Sequence, residues 1–542
     1  MGNFEVRKRD GLARISRLFL EEDYSLPGIF DPATLFPNLR DCRLANVPLA
    51  AGKEFVSQYL HRGEEQPVWV HPAGESRTQS GDCVMVPCIS TALPNPRRYV
   101  DWVIRLKGTI PPDTAWYAPA SALPSNLHLL VYSGFDLFDF TAADLKSAQG
   151  LFCLPEGEFS GDWISNGVCN CGGCKEGDLK VHNRAALLRE MVLVRQFLSG
   201  SRLRDLVECR SRMNASQVSV LRLMDRKEGV VEESVPVARS LPLLATTGDV
   251  LSRIEVRRFS GRVVGRYIPP QADVAVLLPC SARKPYSLSQ SHRKFISAVG
   301  GRAVELIVTS PLGLVPRELE LVYPAAHYDV PVTGYWDAEE LAFTSGIIAG
   351  FLKKHPFRRV IAHLEGGALE AARIAAELAG ITLEQTCRDR ATSPDSLAEL
   401  DSALQGERRV RHDLVRGIGS WQFGVEIDSK GLVVRGRYPE LMVSRGRVPA
   451  FSLDFGTGLL RPTFEGWSLI PGSYRVEIDE FIPQGDVLAP GVVDADPAIR
   501  EGDEVLVVGS QAMATGRAAM AAGEMRRSRR GVAVRVRKVK RL

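Results

Sequence analysis

Short apolar runs alternate with segments of helical period along most of the chain. The runs at 68–70, 84–86, 103–106 and 127–131 read as buried strands, while 184–200 and 201–213 place apolar residues three and four apart, as helices do. Strand followed by helix, repeated, predicts a β/α barrel, intact or eroded, over 1–265. The alternation restarts near Ala272, with strands at 274–278, 303–309 and 360–362 and helices at 290–299, 338–354 and 370–379. This predicts a smaller parallel α/β domain over 266–390. A polar, strand-poor stretch at 387–406 marks a boundary. Short β runs with Gly turns then fill 414–470, giving a small, mostly β connecting domain of α+β type at 391–470. Strands at 474–478, 504–508, 513–518 and 532–539 predict a β-rich, barrel-sized unit over 471–542.

Composition changes this picture little. The chain has 542 residues, 45% apolar and 24% charged, as an ordinary multidomain globular protein does. Neither a signal-peptide core at the start nor a run near eighteen apolar residues is present, so no membrane contact and a cytoplasmic location are expected. A net charge of +4 names no partner, but the basic residues crowd the end of the chain. Arg526, Arg527, Arg529 and Arg530 fall on a predicted turn, and Arg535, Arg537, Lys538 and Lys540 on or just beyond the last strand. In that strand, alternation sends the valines inward and the arginines to the surface. Such a patch suits phosphate contacts; it would also serve as a charged edge that blocks strand pairing.

Chemistry concentrates in one strand-to-helix turn. Pro279-Cys280-Ser281-Ala282-Arg283-Lys284-Pro285-Tyr286-Ser287-Leu288-Ser289-Gln290-Ser291-His292 follows the apolar run 274–278 and leads into a helical pattern. At the carboxyl end of a parallel strand a turn lies where ligands bind, and a helix start favours an anion or thiolate. Cys280 reads as a nucleophile or as a buried packing cysteine. Lys284 could lower the thiol pKa, or bind a phosphate or carboxylate. Tyr286 and His292 are candidate proton donors, with a helix-start hydrogen bond the alternative for His292. Ser289 is among the N-cap candidates. His327 and Asp329, in a predicted loop, are candidate supporting groups.

A second cluster is Cys169-x-Cys171-x-x-Cys174 with His182 eight residues on. Three thiolates and one imidazole can close a tetrahedral zinc site, which leaves no open position and is therefore structural. This spacing fits metal ligation in a reducing compartment better than a disulfide framework. The other cysteines, Cys42, Cys83, Cys88, Cys153, Cys209 and Cys387, are scattered and read as small buried residues.

The CxCxxC loop with His182-Asn183, preceded by Gly134-Phe135-Asp136-Leu137-Phe138-Asp139, resembles the tRNA-guanine transglycosylases. In that family the aspartate matching Asp139 is the nucleophile that attacks ribose. The family's base-holding loop has no counterpart in this sequence. The resemblance therefore implies a platform that keeps tRNA binding and has lost base exchange; otherwise Asp139 caps a strand end. The pattern of Pro279, Cys280, Lys284, Pro285, Tyr286, Ser289 and His292 resembles the signature of the archaeosine synthases, archaeal paralogues of the transglycosylases. The stretch from Ser310 to Glu318, and then Tyr323 to Asp329, is also similar to that family's core domain. Gly485 to Val493 and Arg500 to Val508 resemble the RNA-binding PUA domain.

These resemblances imply a four-part architecture: a transglycosylase-like domain with zinc at 1–265, an α/β catalytic core at 266–390, a connecting domain at 391–470 and a PUA domain at 471–542. The implied substrate is tRNA carrying 7-cyano-7-deazaguanine in its D-loop. The implied reaction converts the nitrile to an amidine, with free lysine or glutamine as nitrogen donor. In one form of the family a radical SAM partner completes the conversion of a lysine adduct. A homodimer is expected by analogy with the transglycosylases. An active transglycosylase acting through Asp139 and a non-catalytic tRNA-binding subunit are the competing readings.

Overall fold

The computed structural model describes residues 3–19, 22–31, 68–69, 82–239, 241–330 and 335–542; Cys42 and Val70 lie outside them. Contacts divide the chain into two units. One comprises Met1–Pro236, Pro483–Glu501 and Ala518–Arg535; the other comprises Val237–Ile482, Gly502–Arg517 and Val536–Leu542.

In the first unit, Asn3–Asp10, Ala13–Phe19 and Asp23–Leu26 form an antiparallel sheet. A second sheet contains the strands Gly28–Ile29, Leu137–Phe138, Ala115–Tyr117, Cys83–Met85 and Val68–Trp69, in that order and all parallel. Its first strand in sequence lies beside its last, as β/α-barrel connectivity requires. Two of the expected strands are helices. The run 103–106 lies inside helix Pro96–Thr109, which buries Tyr99, Val100, Trp102, Val103 and Leu106. That spacing is helical, and the chain starts the helix with an Asn95 cap and Pro at its first position. The run 127–131 is helix Leu127–Tyr132, buried on every side, so no period distinguishes it from a strand.

The second unit is built on a five-stranded sheet. Its order is Gly313–Pro316, Val304–Thr309, Val274–Pro279, Arg359–Ala362, Leu383–Gln385. The first strand is antiparallel to its neighbour and the other pairings are parallel. Val274, Val276 and Leu278 face Phe295, Val299, Leu400 and Leu404, whose helices Gln290–Val299 and Pro394–Ala403 cover that side. Leu414–Phe423, expected among the short β runs, is a helix that starts at an Asp413 cap and ends at a left-handed Gly424. Beyond it Leu432–Arg437, Glu440–Arg445, Val448–Leu453 and Leu460–Pro462 make an antiparallel meander. The closing β-rich stretch includes Arg475–Ile478, Glu504–Val508, Ala512–Ala518 and Val532–Arg541. Arg526 and Arg527 end helix Ala522–Arg527, whereas a turn was expected there.

Candidate active site and metal centre

The strand Val274–Pro279 is apolar without interruption, which suits a strand buried on both faces. It lies at the centre of the sheet. From it the chain moves first to Val304–Thr309 on one side and later to Arg359–Ala362 on the other. Strand order thus reverses at the carboxyl ends of Val274–Pro279 and Arg359–Ala362, where open α/β sheets leave a crevice. A cavity of about 360 Å³ opens there, lined among others by Cys280, Thr247, Ser310, Trp336, Glu340 and Glu365. That volume is within the range of small-molecule sites. Cys280 is half-buried on its wall.

The rest of the turn is held by a buried network. Ser289 accepts from the His292 N–H at 3.2 Å and caps helix Gln290–Val299. His292 is completely buried, and its Nδ1 receives a hydrogen bond from Arg317 Nη2 at 2.9 Å. A guanidinium only donates, so Nδ1 carries no proton and His292 is the Nε2–H tautomer. Burial, with Arg317 beside it, lowers the His292 pKa to about 3. Arg317 is itself clasped by Glu305 at 2.6 Å and Glu320 at 2.9 Å, and Glu320 accepts from the Ser287 N–H at 2.9 Å. His292 thus helps position the turn through Nδ1, while its buried Nε2–H has no hydrogen-bond partner among the described residues. Tyr286 is likewise fully buried, its phenol hydrogen-bonded to Tyr328 at 2.8 Å, with Tyr328 bonded in turn to Thr309 at 2.6 Å. Burial raises the Tyr286 pKa well above the usual phenol range.

Lys284 is half-buried with its Nζ 3.8 Å from the Tyr328 ring centroid, a cation–π contact. Burial lowers its pKa, opposed by Cys280 and Asp329. Asp329 is exposed and His327 half-buried, and neither lines the cavity. Sequence reasoning missed Trp336, Glu340 and Glu365 on the cavity wall. A signal was available for Glu365: Glu365-Gly366-Gly367 follows an apolar strand and opens helix Gly366–Ala379, the same grammar as the Cys280 turn.

The cysteine cluster comes together in the first unit. The ligand atoms of Cys169, Cys171, Cys174 and His182 all lie within 4.8 Å of one another. Cys171 and Cys174 sulfurs are 3.7 Å apart, and His182 Nδ1 is 3.4 and 3.3 Å from them. A tetrahedral zinc with sulfurs at about 2.3 Å would set sulfurs about 3.8 Å apart, so the donor set fits a metal ion of that kind. His182 Nε2 lies 3.1 Å from the Cys153 carbonyl; donating there leaves the Nδ1 lone pair for the metal. Gly173 makes room, since a Cβ there would meet the His182 backbone nitrogen at 2.3 Å. Cys209 is exposed and does not fill the small-core role expected of it, whereas half-buried Cys387 packs against the core of the second unit.

Asp139 is buried, and its carboxylate accepts from Tyr117 Oη at 2.7 Å, Ala120 N–H at 2.9 Å and Thr141 N–H at 2.7 Å. The tail cations are also largely engaged. Arg526 pairs with Asp494, Arg529 with Asp113, Arg530 with Asp82 and Arg537 with Glu504, while Arg527 donates to the Lys107 and Gly108 carbonyls. Arg535, Lys538 and Lys540 are exposed along the last strand.

Residues 256–404 match a domain family described as a domain of unknown function (DUF5591), and residues 475–540 match the PUA domain. The archaeosine synthase subunit alpha of Methanosarcina acetivorans is 37% identical, over 99% of each chain. The chain belongs to the archaeosine synthase family. The archaeosine synthase of Haloferax volcanii is 35% identical, again over 99% of both chains. A tRNA-guanine(15) transglycosylase of Methanothermobacter thermautotrophicus is 26% identical over 52% of this chain and 44% of its own. This chain thus carries, on one polypeptide, the Cys280 crevice, a Cys/His cluster able to hold a metal and a PUA domain. Among the described residues no helix is long and apolar enough to cross a membrane.

Proposed function

We propose that this protein modifies tRNA in archaeosine biosynthesis, adding an amine to the nitrile of 7-cyano-7-deazaguanine in the D-loop. The observation that carries this reading is the Cys280 thiol opening onto the crevice of a chain that aligns end to end with archaeosine synthases. A nitrile carbon is an electrophile on which a thiolate can form a covalent intermediate. The Cys280 sulfur adds to that carbon, the nitrile nitrogen takes a proton, and a thioimidate results. The amine then adds to the same carbon and the thiolate departs, leaving the amidine. Lys284, whose charge is felt by Cys280, is our candidate proton donor to the nitrile nitrogen, since burial makes its proton easier to release. The carboxylates of Glu340 and Glu365 favour a cationic donor, in keeping with free lysine over glutamine. With lysine as donor, the adduct requires a second enzyme, of radical SAM type, to release the amidine.

Residues Cys169, Cys171, Cys174 and His182 would hold a structural zinc that braces the first unit, and elemental analysis should find zinc stoichiometric with the chain. The PUA domain and its basic strand would orient tRNA, in a cytoplasmic enzyme that pairs with a second copy. Three donors already share the lone pairs of Asp139, which speaks against base exchange. Mass spectrometry of nitrile-bearing tRNA incubated with lysine, glutamine or ammonia tests the reaction. A mass gain with lysine alone supports the reading, and no gain with any donor refutes it. Incorporation of labelled guanine would restore the transglycosylase alternative.

A further inference from the structure

The chain carries a second basic surface, far from its tail in sequence. Between Lys430 and Arg447 there are five cations and one carboxylate, a net charge of +4 that equals the formal charge of the whole protein. The strands Leu432–Arg437 and Glu440–Arg445 form a hairpin, and the first of them is the edge of its sheet. Every residue of that edge strand except Leu432 is exposed. Alternation puts Val433 and Arg435 on one face, register sets Met442 opposite Arg435 and Ser444 opposite Val433, and the exposed Arg437 follows Gly436 at the end of the strand. Val433 is 47% exposed and Met442 52% exposed.

The two basic surfaces differ in what their charges already do. In the tail, Arg526, Arg529, Arg530 and Arg537 meet carboxylates within the protein. In the hairpin, Arg445 reaches Glu465 at 3.5 Å, but Lys430, Arg435, Arg437 and Arg447 form no ion pair among the described residues. Charge on an edge strand can serve only to prevent strand pairing. That function does not call for exposed aliphatic side chains on the same face as Arg435. Cations with their counter-charge absent, interleaved with apolar side chains, suit a polyanion that also presents sugar and base surfaces.

We propose that the hairpin surface of Val433, Arg435, Arg437 and Met442 grips the phosphate backbone of the tRNA, a role that rests on the tRNA reading above. Arg435 and Arg437 stand two residues apart on the exposed edge strand, close enough to meet neighbouring phosphates of one RNA strand. Contacts of this kind set affinity and orientation without reading bases.

Binding of a nitrile-bearing tRNA, followed by fluorescence anisotropy from about 50 to 200 mM KCl, where phosphate contacts lose most affinity, tests the proposal. The proteins compared are wild type, Arg435→Glu/Arg437→Glu and a tail variant, Lys538→Glu/Lys540→Glu. The hairpin variant should bind on the order of tenfold more weakly, and its slope of log affinity against log salt should be shallower by about 1.5 to 2. Arg435→Gln/Arg437→Gln, which keeps the strand polar, should show the same loss of slope at an unchanged melting temperature. Wild-type affinity and slope in both hairpin variants overturn the proposal, and self-association of those variants in that case assigns the charges to edge protection. Failure of the wild-type protein to bind tRNA at all refutes the tRNA reading itself.

Discussion

Each unit presents one nucleophile candidate just past the carboxyl end of a parallel strand, and the two differ in what already occupies their lone pairs. Asp139, after Leu137–Phe138, is 1% exposed and accepts from a phenol and two backbone amides. Cys280, after Val274–Pro279, is half-buried on the wall of a cavity. Position in the fold is alike; availability is not. A carboxylate that satisfies three donors holds its own turn in place, and attacking a substrate would strand those donors.

Exchanging the two residues is the strongest way to break this contrast. Cys280→Ala should slow amine addition on the order of 10³-fold, about 4 kcal/mol of transition-state stabilisation, whereas Asp139→Asn should leave the rate per folded molecule within about twofold, as a non-catalytic residue would. Quantifying the tRNA adduct under single-turnover conditions checks both, and the opposite ranking would move the chemistry to the first unit. Next in size is the support of the Cys280 turn. Arg317→Met removes the ion-pair partner of Glu320 and leaves Glu305 only His412 at 3.8 Å, and should cost about 3 kcal/mol in denaturant unfolding. Arg317→Lys should recover part of that stability. Without the guanidinium fork it should still lower kcat while the KM for tRNA stays constant.

Asp139→Ala sharpens the contrast from the other side. It removes the acceptor of buried donors, so it should lower stability by about 1–3 kcal/mol, read from chemical denaturation, without changing the adduct chemistry. The smallest effect concerns His292, whose pKa is lowered on folding to about 3. The unfolded chain then binds the extra proton, so this contribution is complete above about pH 6.5 and is lost as pH falls toward the folded value. Stability should decline by about 1–2 kcal/mol from this group between pH 6.5 and 5, and His292→Asn should flatten the curve by about one proton.

Much of the second unit was legible because its sequence signals agree with one another. The run 274–278 is uninterrupted, Ser289 stands where a cap is needed, and Gln290–Val299 buries one stripe, so strand, turn and helix follow from local rules. The first unit was harder. Within Pro96–Thr109 the apolar run 103–106 suggested a strand, and the Asn95-Pro96 start outweighs it. Leu127–Tyr132 is buried all round, and a six-residue apolar segment then carries no period to read. At the candidate site, the turn could be found because its polar residues are contiguous. Trp336 and Glu340 could not, since they reach the cavity from a distant segment, and Glu365 had only its strand-to-helix turn to mark it. The tail arginines were visible as charge, but their carboxylate partners lie as far away as Asp82 and Asp113.

The Arg317 clasp has an engineering consequence. One guanidinium secures His292 directly and Ser287 through Glu320, so the shape of the Cys280 turn is dictated partly by Glu305 on the neighbouring strand and by Arg317 and Glu320 just after the edge strand Gly313–Pro316. The signature is therefore not a portable cassette. Transplanted onto another α/β scaffold it would arrive without its keystone, and a working graft would have to carry Glu305, Arg317 and Glu320 with it.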